Sequence, residues 1–287
     1  MLKDVLTNEY LSKLEVLDMA VKKRLSSAPS SGARKSSSKG SSLEFSGFRE
    51  YTQGDDLRRV DWNGYARFGR LYTKLFNEER QACVNIVLDG SQSMRLYSEK
   101  WEYAEAFAAS VVYIALNNSD KVNIFITNDA EVEKCEGLVS KQSFAKAVNF
   151  LDAKRSGGAT RLNEAVRTLL YERLGEGISI IISDFFSEDG YDSAVKLLRS
   201  KKQVVNMVQI LDKRETAPDE RGNVRLIDSE TDEKRELEMT PELLDRYSHA
   251  LEKFRAEIRE FSIKNEAGFY AFDTGIPLIA AIGEILR

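Results

Sequence analysis

The sequence predicts an α/β fold: a doubly wound, mostly parallel sheet with helices on both faces, preceded by an N-terminal extension. Three observations carry this. From residue 71 onward, short β-rich runs alternate with helical patterns, the rhythm of strand–helix–strand units. The runs are apolar almost throughout, as strands covered on both faces must be. At 287 residues the chain is long enough for a sizeable core, in one large domain or two small ones.

The elements follow in order. Leu11, Leu14, Leu17 and Val21 recur at spacings of three and four, which is one face of a helix that must pack on something. Between Val21 and Gly40 there are six basic residues and no acidic one, and nine of the seventeen residues from Ser26 to Ser42 are serine. That composition buries too little apolar surface to order itself, so it reads as a mobile basic loop. Its alternative is a phosphate-binding patch, although no aromatic residue interleaves with the charges. A polar, aromatic-rich stretch from Leu43 to Arg70 closes the extension, residues 1–70. Residues 71–287 form the expected α/β domain.

Within that domain Leu71–Phe76 is expected to pair with Ala82–Leu88 through the polar turn Asn77–Gln81. Further strand runs are Val122–Ile126, Ile178–Ile182, Val204–Val208 and Phe269–Phe272. Helical patterns cover Lys100–Leu116, Phe144–Leu151, Arg161–Leu174, Tyr191–Ser200, Pro241–Phe261 and Pro277–Leu286. Lys213–Met239 breaks the rhythm with turn signals and a short apolar run, which suggests a β excursion.

Composition excludes several classes. Lys+Arg is 42 against Asp+Glu 46, so a net charge of −4 gives no general attraction to nucleic acid or anionic membrane. A single histidine, His249, rules out multi-histidine metal sites and leaves any Ser-His-Asp or Cys-His chemistry to one residue. It sits in the polar run Arg246–His249 and reads as a surface residue. Cys83 and Cys135 are too few for a disulfide framework or a cysteine-rich zinc site. Cys83 reads as a small core hydrophobe, whereas Cys135, in the polar run Glu133–Glu136, reads as exposed. The longest apolar stretch, Ala104–Leu116, carries Glu105 and falls short of the ~20 residues that cross a bilayer. The start lacks the apolar core of a signal peptide, so a cytoplasmic protein with reduced thiols is expected.

The chemistry lies at strand ends. Ile86–Leu88 leads into Asp89-Gly90-Ser91-Gln92-Ser93, a D-x-S-x-S pattern before a helix. A carboxylate and two hydroxyls on one turn offer three oxygens to a hard cation; alone, the same residues are a helix cap. Gly157-Gly158-Ala159-Thr160 puts a hydroxyl before the Arg161–Leu174 pattern, and Ile178–Ser183 ends in Asp184. All five donors fall on the carboxyl edge of the sheet, where open α/β folds bind ligands.

These residues resemble the metal-ion-dependent adhesion site of von Willebrand factor A-type domains, which uses a D-x-S-x-S turn, a distant Thr and a distant Asp. Asp89, Ser91, Ser93, Thr160 and Asp184 match the five in order. The resemblance implies Mg²⁺ (or Mn²⁺), held by the hydroxyls directly and by the carboxylates directly or through water. Two carboxylates and three neutral hydroxyls leave such an ion electrophilic toward one external anion, and the dipole of the following helix favours that anion.

Upstream, Phe45–Tyr51 runs into Gly54-Asp55-Asp56-Leu57-Arg58-Arg59-Val60-Asp61-Trp62, then Tyr65-Ala66-Arg67 and Leu71–Phe76. This resembles the bacterial family called domain of unknown function 58, in which R-x-Y-x-x-G-D-x-x-R-x-I-D-W precedes a von Willebrand A-like domain. Val60 stands where the motif has Ile, and the combined resemblance runs from about Leu43 to the end. Arg49, Gly54, Asp55, Arg58, Asp61, Trp62 and Arg67 are either a binding surface or a structural network. In the latter, Asp55, Asp61, Arg58 and Arg67 pair and Trp62 anchors a hairpin to the sheet.

The family is often encoded beside a MoxR-type AAA+ ATPase, so the resemblance implies a protein partner of that kind and a role as adaptor or chaperone cofactor, not as an enzyme. Two other classes are weighed. One is a metal-dependent hydrolase, with Asp129 or Glu188 as base. The other is an RNA or nucleotide binder using the basic loop, marked by steep salt dependence. No G-x-x-x-x-G-K-[ST] loop occurs, so the chain is not itself the ATPase.

Overall fold

The computed structural model describes residues 2–27, 43–78, 81–128, 131–153, 162–163, 166–167, 176–187, 190–219, 222–227 and 234–287. Most of the basic loop (residues 28–42) and most of the Arg161–Leu174 pattern lie outside the described residues. The chain forms two compact units, Met1–Arg34 with Ala82–Arg287, and Lys35–Gln81.

Helices α1 (Leu2–Val5) and α2 (Asn8–Ser27) belong to the larger unit. The predicted apolar face of α2 is buried there: Leu14 enters the main core, with Leu11 and Leu17 packed against it. Tyr10 Oη and Ser110 Oγ share a hydrogen bond of 2.8 Å, and Tyr113 Oη donates to Glu15 at 2.7 Å. The helix runs on to Ser27, so the first basic residues of the supposed loop are helical, with Lys22 paired to Asp18 at 3.1 Å.

In the smaller unit β1 (Leu43–Glu50) and β2 (Tyr72–Glu78) are joined through helix α3 (Trp62–Phe68). They pair antiparallel, from Leu43↔Glu78 to Glu50↔Tyr72. This corrects the expected pairing of Leu71–Phe76 with Ala82–Leu88. The latter strand lies inside the main sheet with a parallel neighbour on each side, so it has no free edge to offer.

In the larger unit β3 (Cys83–Asp89), β4 (Lys121–Asn128), β5 (Glu131–Leu138), β6 (Gly177–Ser183) and β7 (Gln203–Leu211) are followed by a separate hairpin, β8 (Gly222–Ile227) with β9 (Lys234–Met239), and by β10 (Gly268–Asp273). The hairpin is the expected excursion. The six-stranded sheet has the order β10-β7-β6-β3-β4-β5, and only edge strand β5 runs antiparallel to its neighbour. Among the described residues the helices that follow α3 include α4 (Gln92–Arg95), α5 (Ser98–Asn117), α6 (Phe144–Leu151), α7 (Asp192–Ser200), α8 (Lys213–Thr216), α9 (Pro241–Lys264) and α10 (Leu278–Ile285).

Side chains alternate across each strand, and here both faces are covered. Val84, Ile86 and Leu88 of β3 join Phe107 and Val112 of α5 in one core. Val87 joins Ala194 and Leu198 of α7 and Ile258 of α9 in the other. The sheet is therefore doubly wound, as expected. After β3 the chain moves to one side of the sheet, and from β6 onward it builds on the other, so the strand order reverses between β3 and β6.

Candidate metal centre

Asp89 ends β3 and Asp184 directly follows β6, so two carboxylates emerge from the carboxyl ends of neighbouring strands at that reversal point, each 1% exposed. Asp89 is held on both oxygens. Oδ1 accepts from the Ser91 amide at 3.0 Å, and Oδ2 accepts from Ser183 Oγ at 2.5 Å. The Ser91 and Ser93 hydroxyls lie 3.0 Å apart. Ser91 also accepts from the Met94 amide at 3.4 Å, so the loop is a helix cap and an oxygen cluster at once. The helix it caps is only the four-residue α4, and α5 begins at Ser98. The dipole behind the loop is correspondingly small.

Asp184 is bound on every side. Its Oδ1 accepts from the Phe186 amide at 3.1 Å, its carbonyl from Gln209 Nε2 at 3.0 Å, and its Oδ2 from Lys100 Nζ at 2.9 Å. Next to it Phe185 takes φ +63°, a left-handed conformation that is costly for a bulky residue. Its amide donates to Ser183 Oγ at 2.9 Å and its buried ring meets Tyr191 edge-on at 5.6 Å, which holds it there.

Asp89, Ser91 and Ser93 fit a hard divalent cation in donor chemistry: they are oxygens only, clustered and largely buried. Thr127, opposite Asp89 on β4, adds a buried hydroxyl without a hydrogen-bond partner among the described residues. Among those residues no three His, Cys, Asp or Glu side chains stand together as a metal set, so the hydroxyls are needed. Thr160 lies outside the described residues, as do Asp129 and Glu188. Ser183, Lys100 and Thr127 were not singled out from sequence. Ser183 had the one local signal, a hydroxyl beside Asp184 at the end of an isoleucine run.

The thiols and the histidine stand apart from this centre in character. Cys135, expected to be exposed, is 6% exposed, because it points from β5 into the main core. Cys83 is only partly buried and accepts from Asn123 Nδ2 at 3.4 Å. Burial pushes both thiols up from their ordinary pKa. His249 lies exposed on α9, as expected.

In the smaller unit the upstream motif is partly a network, with different partners from those expected. Asp55 pairs with Arg49 at 2.5 Å and accepts from the Thr52 amide at 3.0 Å and Thr73 Oγ1 at 3.1 Å. The Thr52 amide first, then Arg49 and Thr73, hold its carboxyl below the usual carboxylate range. Gly54 takes φ +109° to turn the chain there. Asp61 pairs with Lys74 at 3.4 Å. Arg58 and Arg67 are exposed, and Trp62, expected as an anchor, is 54% exposed beside Tyr65.

A doubly wound α/β domain with a D-x-S-x-S loop at its reversal point is thus joined to a small Arg- and Asp-rich unit. The family described as "Protein of unknown function DUF58" matches residues 47–257, and the chain belongs to that family. Uncharacterized protein Rv1480 of Mycobacterium tuberculosis is 24% identical over 216 residues, 73% of this chain and 68% of that one. Among solved structures, the conserved hypothetical protein BatB from Bacteroides thetaiotaomicron is 17% identical with a TM-score of 0.42, over 71% of this chain and 96% of that one. The SpRpn10 VWA domain is 8% identical with a TM-score of 0.43, over 71% of this chain and 94% of that one. No described helix is long and apolar enough to cross a membrane.

Proposed function

We propose that the chain is a metal-dependent protein-interaction module in which Asp89, Ser91 and Ser93, completed by Thr160 and Asp184, hold Mg²⁺ (or Mn²⁺) and take a carboxylate of a partner protein. The observation that carries this reading is the buried oxygen cluster at the reversal point, Asp89 with two hydroxyls 3.0 Å apart. When bound, the cation supplies an electrophilic position for an external anion. The chain's own residues do the rest. Ser183 and the Ser91 amide aim the Asp89 carboxylate. The serine hydroxyls add oxygens without adding negative charge, so one more carboxylate is still attracted. The proposed partner is a MoxR-type AAA+ ATPase in the cytoplasm, with this chain as its adaptor or chaperone cofactor. That partner is what the family resemblance implies, and no residue here points to it.

The test is calorimetric titration of Mg²⁺ and Mn²⁺ into metal-stripped protein, with melting temperature followed in parallel. A ligand that binds only the folded state raises apparent stability by mass action. Saturable binding that Asp89→Ala abolishes supports the reading. No binding in either protein at millimolar metal removes it and leaves the loop a helix cap.

A further inference from the structure

The loop already holds a cation of its own. Lys100, near the start of α5, is 0% exposed. Its ammonium donates to the Ser93 carbonyl at 3.2 Å, to Asp184 Oδ2 at 2.9 Å and to Glu215 Oε1 at 3.0 Å. Three acceptors saturate its three donors. A lysine is almost never fully buried unless it is paired, and two of the three groups that pair this one belong to the candidate metal centre. The third comes from α8, where Glu215 also accepts from the Asp212 amide at 2.6 Å and so closes a capping box. That brace holds Glu215 against the ammonium, as the only acidic contact it has besides Asp184 among the described residues.

We propose that Lys100 is a built-in competitor of the divalent cation: it occupies Asp184 and offsets one of the two carboxylate charges, and Glu215 tunes the affinity of the loop by sharing the ammonium. The inference rests on the metal reading above. Its physical basis is charge. Asp89 and Asp184 together present two negative charges to an incoming ion, and Lys100 reduces the sum to one. In a buried site an ammonium a few ångström from a dication weakens its binding by about tenfold or more. Glu215 works in the opposite sense, because a second carboxylate on Lys100 lowers the positive field that reaches the loop.

The experiment is Mg²⁺ and Mn²⁺ calorimetry on the full metal-stripped chain. It compares wild type, Lys100→Met, Glu215→Gln and the double variant Asp89→Ala/Lys100→Met, each checked for folding by near-ultraviolet circular dichroism. Lys100→Met is expected to tighten the dissociation constant by about tenfold or more, and Glu215→Gln to weaken it by about threefold. The double variant is expected to lose the tightened binding, which places the ion at the loop. If wild type and Lys100→Met bind alike, the inference is wrong and the metal site stands. Binding by none of the proteins at millimolar metal overturns both. Should Lys100→Met fail to fold, Glu215→Gln decides: an unchanged or tightened dissociation constant overturns the proposal.

Discussion

Ser183, the last residue of β6, donates its hydroxyl across 2.5 Å to Asp89, the last residue of β3. The same oxygen accepts from the Phe185 amide at 2.9 Å. One buried hydroxyl thus aims the carboxylate and shapes the turn after β6. Ser183→Ala leaves a buried carboxylate oxygen and a buried amide each short of a partner, at about 1–3 kcal/mol apiece. Urea denaturation should show a loss of about 2–6 kcal/mol with an unchanged m value. A loss below about 1 kcal/mol would mean that this bond does not organise the edge.

Lys100→Met tests the ion pair for stability. The substitution roughly keeps volume, so cavity formation contributes little, and it leaves Asp184 and part-buried Glu215 uncompensated. Breaking one side of a buried pair costs about 3–5 kcal/mol. Metal-free Lys100→Met should therefore melt well below wild type. Saturating Mg²⁺ should raise its melting temperature by more than it raises that of wild type. Equal stability without metal would show that the pair contributes nothing net.

Most of the sheet was legible because its strands are the β-branched runs themselves. Ile178–Ile182 cannot be read as an exposed segment, and Asp184 follows it after one residue, Ser183. The D-x-S-x-S loop was legible for the same reason: its donors are neighbours in sequence. What was hidden depends on distant partners. Lys100 sits in the charged run Ser98–Glu102, where nothing local marks one lysine as buried, and it meets Asp184 84 positions away. The pairing of β2 was misread because proximity in sequence favoured β3, whose edges are taken by β4 and β6. Cys135 was misread because its immediate neighbours are charged, and the two buried residues of this edge strand, Cys135 and Leu138, stand three apart and so leave no period-two pattern.

Gly177 is demanded by close approach, not by conformation. A Cβ there would lie 2.2 Å from the Cys83 carbonyl oxygen on β3. Backbone cannot yield as a side-chain tip can, so Gly177→Ala forces β6 and β3 apart at their amino ends, the end of the sheet opposite the candidate cation site. Overpacking of this kind costs about 1–3 kcal/mol. A variant with the wild-type urea midpoint would show that the strands separate there without penalty.

Both thiols are raised by burial, so little thiolate is present at pH 8 in the native protein. Cys135, in the main core, should react with a disulfide reagent only as fast as the protein opens, while partly buried Cys83 reacts sooner. In denaturant both should react at once. Two equally fast thiols in the native state would contradict the burial of Cys135.

Asp212 sets an acid-dependent term. It is buried, it caps α8, and it pairs with Arg214 Nε at 2.6 Å. The Arg214 side chain first, then the Arg214 amide and Thr274, hold its carboxyl below the usual carboxylate range. The folded chain therefore binds this proton less readily than the unfolded chain does. The pairing contributes its full stability above the unfolded value of about 3.9 and loses it as pH falls through the lower folded value. Asp212→Asn keeps the shape and removes the titration. Wild type should be the more stable protein at pH 7, and the gap should close between about pH 4 and pH 2. Urea midpoints at pH 7, 4 and 2.5 measure it. A gap that stays constant over that range would show that the folded carboxyl is not held below its unfolded value.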